Sequence, residues 1–395
     1  MRLSRAERSL LSDWWFSIDH RLLAAVLLLM LAGLVISFGA GPAAADRLGL
    51  ADFYFVERHA VFLLSALAVL VPVSMLGPRG VRRLALVLSI AGLALMIAAL
   101  AQGIERNGAV RWVHFAGLAF QPSEIVKPGF VVISAWLLSE GARRRDVPAT
   151  EMAVALLLVF AGLLALQPDI GQTALIAVVW AGMFLAAGYP LRWMLAIAAA
   201  GMAGLAAAYW TIPHATERID AFMGWGSAVG DQTAIALSAF SEGGWFGRGP
   251  GEGVLKTRLP DAHNDYIFAV IAEELGIAAC LALVAVYGYI TMRAGAAALR
   301  QQSPFIRVAL SGLAMLFGFQ ALINMAVNVN LLPAKGMTLP FVSYGGSSLV
   351  SMSATMAMVI ALSRRRPDAE ALSWPEQPAD MQAAGVAASP RGMQT

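Results

Sequence analysis

The sequence contains a single cysteine, Cys280, which lies within an apolar run. One thiol excludes an internal disulfide framework and a metal site built from several cysteines, and we interpret Cys280 as a small buried hydrophobic residue. Charged residues are scarce as well, at 13% of the chain against about 25% in soluble domains. There is no HExxH, Walker, GxSxG or zinc-ligand spacing, which disfavours ATP-driven and serine-hydrolase functions.

Long apolar runs dominate the chain, and hydrophobic residues make up 59% of it. Runs of about 20 residues suffice to cross the hydrocarbon core as helices, so the sequence predicts an all-α integral membrane protein with about ten transmembrane helices. We expect the first run to be retained as a signal anchor, because it is too long for a signal-peptide core. The predicted helices lie near residues 21–40, 58–77, 81–101, 121–139, 151–166, 170–187, 191–212, 265–291, 306–330 and 345–363.

Arginine clusters set the expected orientation. They precede the first run, follow the last, and separate helices two and three, four and five, and eight and nine. By the positive-inside rule, both termini are cytoplasmic. The sequence thus predicts a cytoplasmic segment at 1–20, a polytopic domain at 21–363 with a large extracytoplasmic loop at 213–264 between helices seven and eight, and a disordered cytoplasmic tail at 364–395.

Polar residues cluster near the predicted extracytoplasmic helix ends. Glu124 and Lys127 are three residues apart, so they share a helix face and can pair. A helix-start cap with an ion pair behind it also explains them, although ionisable residues within a span are functional by default. Asp169 in "QPDIGQ" follows a proline and is explained either as a helix cap or as a site residue. Arg111 precedes the first of these motifs.

Two further clusters follow. "LPDAHNDYIFAVIAEELG" contains His263 and Asp265 and is preceded by Lys256; "LLPAKGMTLPFVSYGGSS" contains Lys335, Ser343 and Tyr344. A helix start rich in Gly and Ser presents free N–H groups that suit a phosphate, whereas tight turning alone also accounts for the two glycines. Cations that grip pyrophosphate and a carboxylate that handles a proton suit a phosphate-bearing, lipid-linked substrate.

Four motifs in order, "QPSEIVKP", "QPDIGQ", "PDAHNDYIFAVIAEELG" and "LLPAKGMTLPFVSYGGSS", resemble the SEDS family (shape, elongation, division and sporulation) over residues ~14–365. The last motif is more similar to the cell-division branch than to the elongation branch. The chain departs mildly from the family pattern at four positions: Asn264, Tyr266, Asn330 and Ala334.

The resemblance implies a peptidoglycan glycosyltransferase of the bacterial inner membrane, placed at the division septum. It would polymerise lipid II at the outer face, with inversion and release of undecaprenyl pyrophosphate. Asp265 aligns with the family's essential aspartate and is our candidate general base; its place at a helix start favours the anion. The candidate substrate-binding residues are Arg111, Glu124, Lys127, Asp169, Lys256, His263, Lys335, Ser343 and Tyr344.

No cofactor is evident and no residue is nominated as a metal ligand, although a divalent cation, Mg²⁺ or Mn²⁺, is compatible with a pyrophosphate leaving group. The expected partners are lipid II with the growing glycan strand, a cognate class B penicillin-binding protein and other division-complex membrane proteins, and no nucleic acid. Glu273 and Glu274 lie about 12–14 Å beyond Asp265 along a helix, so we expect them to pair internally or to shape the cavity.

Three alternatives stay open at the level of the sequence. A lipid II flippase would also place charges at several depths of a helical bundle, and Asn324 and Asn328 fit that function. An elongation-type polymerase would perform the same chemistry in another complex. A scaffold of a division complex would use the tail and the outer loop. Clustering of the motifs at one face favours the polymerase.

Overall fold

The computed structural model describes residues 9–102, 110–115, 118–144, 146–211, 216, 220, 230–333 and 336–364. These residues belong to two compact units. The smaller unit contains helix α1 (Leu10–Ser17) and Arg364. Ser9 caps α1 by accepting a hydrogen bond from the Ser12 amide at 3.2 Å, and Arg364 Nε donates to Ser17 Oγ at 2.8 Å. The predicted tail lies outside the described residues beyond position 364.

The larger unit runs from Asp19 to Ser363 and is built almost entirely from helices. Its elements in chain order are α2 His20–Arg47, α3 Tyr54–Ser74, α4 Pro78–Gln102, β1 Val113–Phe115, β2 Leu118–Phe120, α5 Pro122–Gly141, α6 Ala149–Leu166, α7 Ile170–Ala186, α8 Leu191–Thr211, α9 Gly230–Gly243, a 3₁₀ turn Leu255–Thr257, α10 Ile267–Leu299, α11 Pro304–Asn328 and α12 Gly346–Ser363.

Every apolar run that predicted a helix overlaps an observed helix, from α2 to α8 and from α10 to α12. Within the described residues, seven helices are long and apolar enough to cross a membrane: α2, α3, α4, α6, α10, α11 and α12. Helix α7 is apolar but has only 17 residues. The chain is therefore a mostly helical, polytopic membrane protein.

Three details differ from the sequence-based expectation. A short antiparallel hairpin, β1 and β2, precedes α5, with Val113 opposite Phe120. The predicted outer loop 213–264 contains α9 and the 3₁₀ turn. Helix α2 continues to Arg47 rather than ending near residue 40, because Pro42 inside it does not terminate the helix.

Helices α5 and α12 form the centre of the larger unit. Helix α5 packs against α4, α6, α11 and α12, and α12 packs also against α3. Nearly every side chain of α12 from Ser348 to Leu362 is buried. Helices α4 and α5 approach closely because Gly92 faces Val126 and Gly129 faces Ser89, where an added Cβ would collide. Small residues at such contacts allow close helix packing in membranes.

Helix α10 is interrupted at Gly276, whose backbone angles are φ 81° and ψ 175°. That conformation is essentially restricted to glycine, so the residue type permits the break. The break leaves backbone carbonyls without helical partners, and the loop after α9 hydrogen-bonds to them. The Arg248 and Gly249 amides donate to the carbonyls of Glu273 and Glu274, both at 3.0 Å. Non-helical backbone at membrane depth is tolerated only where protein or water satisfies it.

Candidate functional site

Asp265 lies in a tight turn that leads into α10. The turn begins at Asp261, which has φ 52°, and the Asp261 carbonyl accepts the amides of Asn264 and Asp265, both at 2.9 Å. Asp265 is partly exposed, whereas Tyr266 and the start of α10 are buried. The turn thus places a carboxylate directly before a buried helix start, where the sequence predicts it. Its role as general base stays a prediction.

Two asparagines of α11 hold the main chain of this turn. Asn324 and Asn328 each donate a side-chain N–H to the Asp265 carbonyl, at 2.9 and 3.0 Å. Asn324 also donates to the Met337 carbonyl at 2.5 Å, and the side-chain oxygen Oδ1 of Asn328 accepts the Ala269 amide at 3.0 Å. Both asparagines are buried. They fix the turn to α11 and to the segment before α12.

The segment between α11 and α12 closes over the other side of the turn. Ser343 Oγ donates to the Asn264 carbonyl at 2.6 Å and accepts the Leu339 amide at 2.7 Å, and the Tyr344 amide donates to the His263 carbonyl at 3.0 Å. Ser343 is 2% exposed. Its contacts hold two backbone segments together, so its observed role is in shaping the site.

His263 packs among aromatic rings beside the turn. Its ring centroid lies 4.3 Å from that of Phe55 and 5.5 Å from that of Tyr344. Burial lowers the pKa of His263, and the nearby Arg47 lowers it further, against the opposing effect of Asp261. The lowered pKa favours the neutral imidazole at pH 7, so at this turn the ring provides hydrogen-bonding nitrogens rather than a positive charge.

A second polar cluster links α5, α7 and α11. Lys127 Nζ lies 2.8 Å from Glu124 Oε2 and donates to the side-chain oxygens of Gln172 at 3.1 Å and Gln320 at 2.7 Å. Gln172 Nε2 in turn donates to Glu124 Oε1 at 2.8 Å. Lys127 is fully buried. The predicted pairing of Glu124 with Lys127 is confirmed, and their charges are compensated inside the protein.

Gln320 connects this cluster to the segment that closes over Asp265. Its Nε2 lies 3.2 Å from the Thr338 carbonyl, and Thr338 Oγ1 lies 2.6 Å from Ser348 Oγ. Thr338 directly follows Met337, whose carbonyl accepts from Asn324. Polar contacts therefore run from Glu124 and Lys127 towards the backbone of the Asp265 turn.

Asp169 caps α7 and anchors the segment that carries Arg111. Asp169 Oδ1 accepts the Gln172 amide at 3.3 Å, and Oδ2 accepts Gln121 Nε2 at 3.1 Å. Arg111 Nη1 lies 3.7 Å from Asp169 Oδ2, while Arg111 donates to the carbonyls of Gln167, at 2.8 Å, and Pro168. The helix-cap interpretation of Asp169 is confirmed, and the same carboxylate also borders the buried lysine cluster.

Lys256, nominated for pyrophosphate, is 7% exposed and bonded within the protein. Its Nζ donates to the carbonyls of Gly39 and Gly251, both at 2.9 Å, and pairs with Glu274. Glu273 accepts the amides of Val254 and Leu255 at 2.6 and 2.8 Å. The expected internal pairing therefore holds for Glu274, which pairs with Lys256, whereas Glu273 is bonded to backbone amides.

The predicted site residues therefore fall into separate groups. His263, Asp265, Ser343 and Tyr344 meet at one turn, and Glu124, Lys127, Asp169 and Arg111 meet at the start of α5 and α7. Lys335 lies outside the described residues. Substrate binding by these residues stays a prediction.

Four side-chain amides that support these groups were not among the predicted site residues, although two of them, Asn324 and Asn328, fit the flippase alternative. The four amides are Gln172, Gln320, Asn324 and Asn328. The available signal was four amide side chains within apolar helices, where polar groups are rare and expensive. Among the residues that the structure describes, no three His, Cys, Asp or Glu side chains lie close enough together to hold a metal ion. Compatibility with Mg²⁺ or Mn²⁺, inferred from the expected substrate, stays a prediction.

The protein is a polytopic helical bundle with a polar site. Asp265 lies in a turn at one end of α10, and buried ion pairs lie near it. The sequence profile described as "Cell cycle protein" (FtsW, RodA and SpoVE) matches residues 19–367. The chain belongs to this family, as its motifs indicated.

Individual relatives agree. A protein of Caulobacter vibrioides named probable peptidoglycan glycosyltransferase FtsW is 41% identical over 93% of this chain and 94% of its own. One of Halorhodospira halophila with the same name is 35% identical over 90% of this chain and 93% of its own.

Solved structures share the fold. A chain from a peptidoglycan synthase complex, studied for the coordination of polymerization and crosslinking, superposes with a TM-score of 0.73 at 29% identity. It covers 88% of this chain and 98% of its own length. The rod shape determining protein RodA of Thermus thermophilus superposes with a TM-score of 0.65, also at 29% identity, over 88% of this chain and 97% of its own.

Proposed function

We propose that this protein is a peptidoglycan glycosyltransferase of the cell-division type, which polymerises lipid II at the outer face of the cytoplasmic membrane. The observation that carries the proposal is the partly exposed Asp265, held in a turn by side chains from α11 and by the segment before α12. The division-type relatives match at up to 41% identity over nearly the whole chain, which favours FtsW-type over RodA-type activity.

Asp265 acts as general base in the proposed reaction. The 4-hydroxyl of the acceptor N-acetylglucosamine attacks the anomeric carbon of the N-acetylmuramic acid at the end of the growing chain. Asp265 takes the hydroxyl proton, the new glycosidic bond forms with inversion, and undecaprenyl pyrophosphate leaves. One positioned base contributes about 10²–10⁴-fold, and the remaining acceleration comes from orientation and from cations that stabilise the departing pyrophosphate.

Glycan-strand synthesis from labelled lipid II tests this proposal. Wild type, Asp265→Asn and Asp265→Ala are purified and assayed with the cognate class B penicillin-binding protein. Asn keeps the shape of Asp265 but cannot accept a proton, so both variants should lose at least about 100-fold in rate. An Asp265→Asn enzyme that polymerises at the wild-type rate would remove Asp265 from the catalytic role.

Transport of labelled lipid II in vesicles provides the second arm. A wild-type protein that moves lipid II between leaflets but forms no glycan strands would establish the flippase alternative. The buried Glu124–Lys127 pair is compatible with transport, but its two charges compensate each other and are hydrogen-bonded by Gln172 and Gln320. No described contact singles out a transport path, so polymerisation is the proposed activity.

The proposed partner is a class B penicillin-binding protein at the division septum, along with other division-complex membrane proteins. A solved relative of this fold belongs to a peptidoglycan synthase complex, which supports a partner that crosslinks what this chain polymerises. Co-purification of the two full-length proteins, together with the rate of polymerisation in the presence and absence of the partner, tests this assignment.

A further inference from the structure

The break in α10 fastens the outer loop to the bundle. Besides the two bonds from Arg248 and Gly249, the Ile277 amide donates to the Gly244 carbonyl at 2.9 Å and the Ala278 amide donates to the Trp245 carbonyl at 3.2 Å. Backbone hydrogen bonds thus flank Gly276 on both sides. The loop after α9 is seated against the interrupted helix and has a defined path towards the 3₁₀ turn.

Two carboxylates at this break bind the 3₁₀ turn itself. Glu273 accepts the amides of Val254, Leu255 and Lys256, the last at 3.2 Å, so one carboxylate orders three consecutive residues. Glu274 pairs with the Lys256 ammonium group. Glu273 and Glu274 are 0% and 5% exposed. We name Lys256, Glu273 and Glu274 the latch.

The latch also reaches α2. Two of the three ammonium hydrogens of Lys256 are directed to the carbonyls of Gly39 in α2 and Gly251 in the loop. A Cβ at Gly39 would collide with the Glu274 carboxylate, so the glycine allows this close approach. A second tether follows immediately, where Arg47 Nη1 of α2 donates to the Leu259 carbonyl at 2.8 Å.

The chain passes from these tethers directly into the turn of Asp265. Every Lys256 hydrogen-bond donor is matched by an acceptor of the protein, which leaves none for a pyrophosphate in this arrangement. Two anchor points on α2 and the two carboxylates of Glu273 and Glu274 on α10 fix where the segment before the turn runs. A shift of about 1 Å in a catalytic group is enough to cost about 100-fold in rate.

We propose that the Lys256–Glu274 pair is a positioning pair, which sets the place of the Asp265 turn through the loop and does not contact the substrate. This inference rests on the proposed glycosyltransferase function for its kinetic test. It assigns Lys256 a different role from the pyrophosphate ligand that the sequence suggested.

Kinetics of single and double variants separate the two roles. Removing one partner of a buried ion pair leaves an uncompensated charge, whereas replacing both by apolar residues is often tolerated. Lys256→Met should lower kcat at least about 100-fold with KM for lipid II unchanged, and adding Glu274→Leu should restore about tenfold of the loss. The matched control is Arg258→Met, an exposed cation of the same segment, which should stay within about twofold of wild type. A raised KM in Lys256→Met with no recovery in the double variant would overturn the proposal.

Glu274→Gln covers the case in which Lys256→Met does not fold. This change keeps the size and one acceptor oxygen for Lys256 but removes the charge. A positioning pair predicts a lower kcat at unchanged KM. A pyrophosphate ligand predicts the opposite, because Lys256 released from its carboxylate would bind lipid II more tightly and lower KM.

Hydrogen exchange provides a readout that does not depend on polymerisation. Peptides spanning residues 259–266 of the purified full-length protein should exchange at least about tenfold faster in Glu274→Gln than in wild type or Arg258→Met. Equal exchange in all three proteins would refute the latch even if the enzyme polymerises lipid II. If Glu274→Gln exchanges faster than wild type but wild type itself never polymerises lipid II, the latch is retained and the proposed function is rejected instead.

Discussion

Asn324→Ala removes the side chain that joins the Asp265 turn to the segment before α12. The Asn324 amide group donates to the carbonyls of Asp265 and Met337. Each lost hydrogen bond costs about 0.5–1.5 kcal/mol, and a buried group left unsatisfied costs about 1–3 kcal/mol. The Asp265 carbonyl keeps its bond from Asn328, so we expect a total cost of about 1–3 kcal/mol rather than collapse of the turn.

If that cost falls on the catalytic geometry, kcat drops by roughly 5- to 150-fold, since about 1.36 kcal/mol corresponds to a factor of ten in rate. The assay is the initial rate of glycan-strand synthesis from labelled lipid II, alongside thermal unfolding in detergent. Because Asn324 contacts backbone and not the proposed substrate, KM should change less than kcat.

A matched asparagine provides the control for this prediction. Asn330 is exposed and has φ 56°, a conformation that glycine adopts without strain, so Asn330→Gly should leave rate and unfolding temperature near the wild-type values. If Asn324→Ala polymerises within about twofold of the wild-type rate and unfolds within about 1 °C of the wild-type temperature, α11 does not hold the turn. The reasoning from these hydrogen bonds would then be wrong.

Three further predictions concern the buried and terminal charges and the break. Lys127→Met leaves the Glu124 carboxylate uncompensated and should destabilise the fold by about 3–5 kcal/mol; an unfolding temperature like that of wild type would contradict this. Gly276→Ala places a side chain at φ 81° in contact with loop backbone, so the yield of monodisperse protein should fall sharply, and a normal yield would count against the described break. Partial burial raises the pKa of Asp19, but the hydrogen bonds and charge of Arg293 and the first amides of α2 outweigh it and lower that pKa. This carboxylate therefore stabilises the fold above about pH 4, and the contribution is lost as pH falls through the lowered pKa. Asp19→Asn should reduce the loss of stability at acid pH, and a pH dependence of unfolding like that of wild type would refute the assignment.

The positions of the helices could be predicted from the sequence because the bilayer imposes a length and an apolar composition on each span. The break at Gly276 could not, because one glycine in an apolar run does not by itself distinguish a helical residue from an interrupted one. Only the loop that bonds to the freed groups, through the amides of Arg248 and Gly249, gives the break a physical basis.

The candidate site shows the same division between local and long-range information. The pairing of Glu124 with Lys127 was predictable because the two residues are three apart on a helix. Lys256 looked like a substrate ligand because its partner Glu274 belongs to another element, and the sequence holds no direct information on which side chains meet. For the same reason, the donation by Asn324 and Asn328 to one carbonyl required the structure.

One physical constraint, the cost of an unpaired buried charge, explains how this chain buries its lysines. In the bundle interior, an unpaired ionic group costs several kcal/mol, so Lys127 and Lys256 are each paired with a carboxylate and surrounded by oxygen acceptors. Through further hydrogen bonds of its lysine, the first pair connects α5 to α7 and α11, and the second connects α10 to α2. Polar contacts from each lead towards the segments that hold Asp265. For Lys256 and Glu274, we propose that the pair orders the backbone around Asp265 without contacting the substrate. The expected signature of their disruption is a loss of kcat at constant KM, whereas loss of a true pyrophosphate ligand would raise KM.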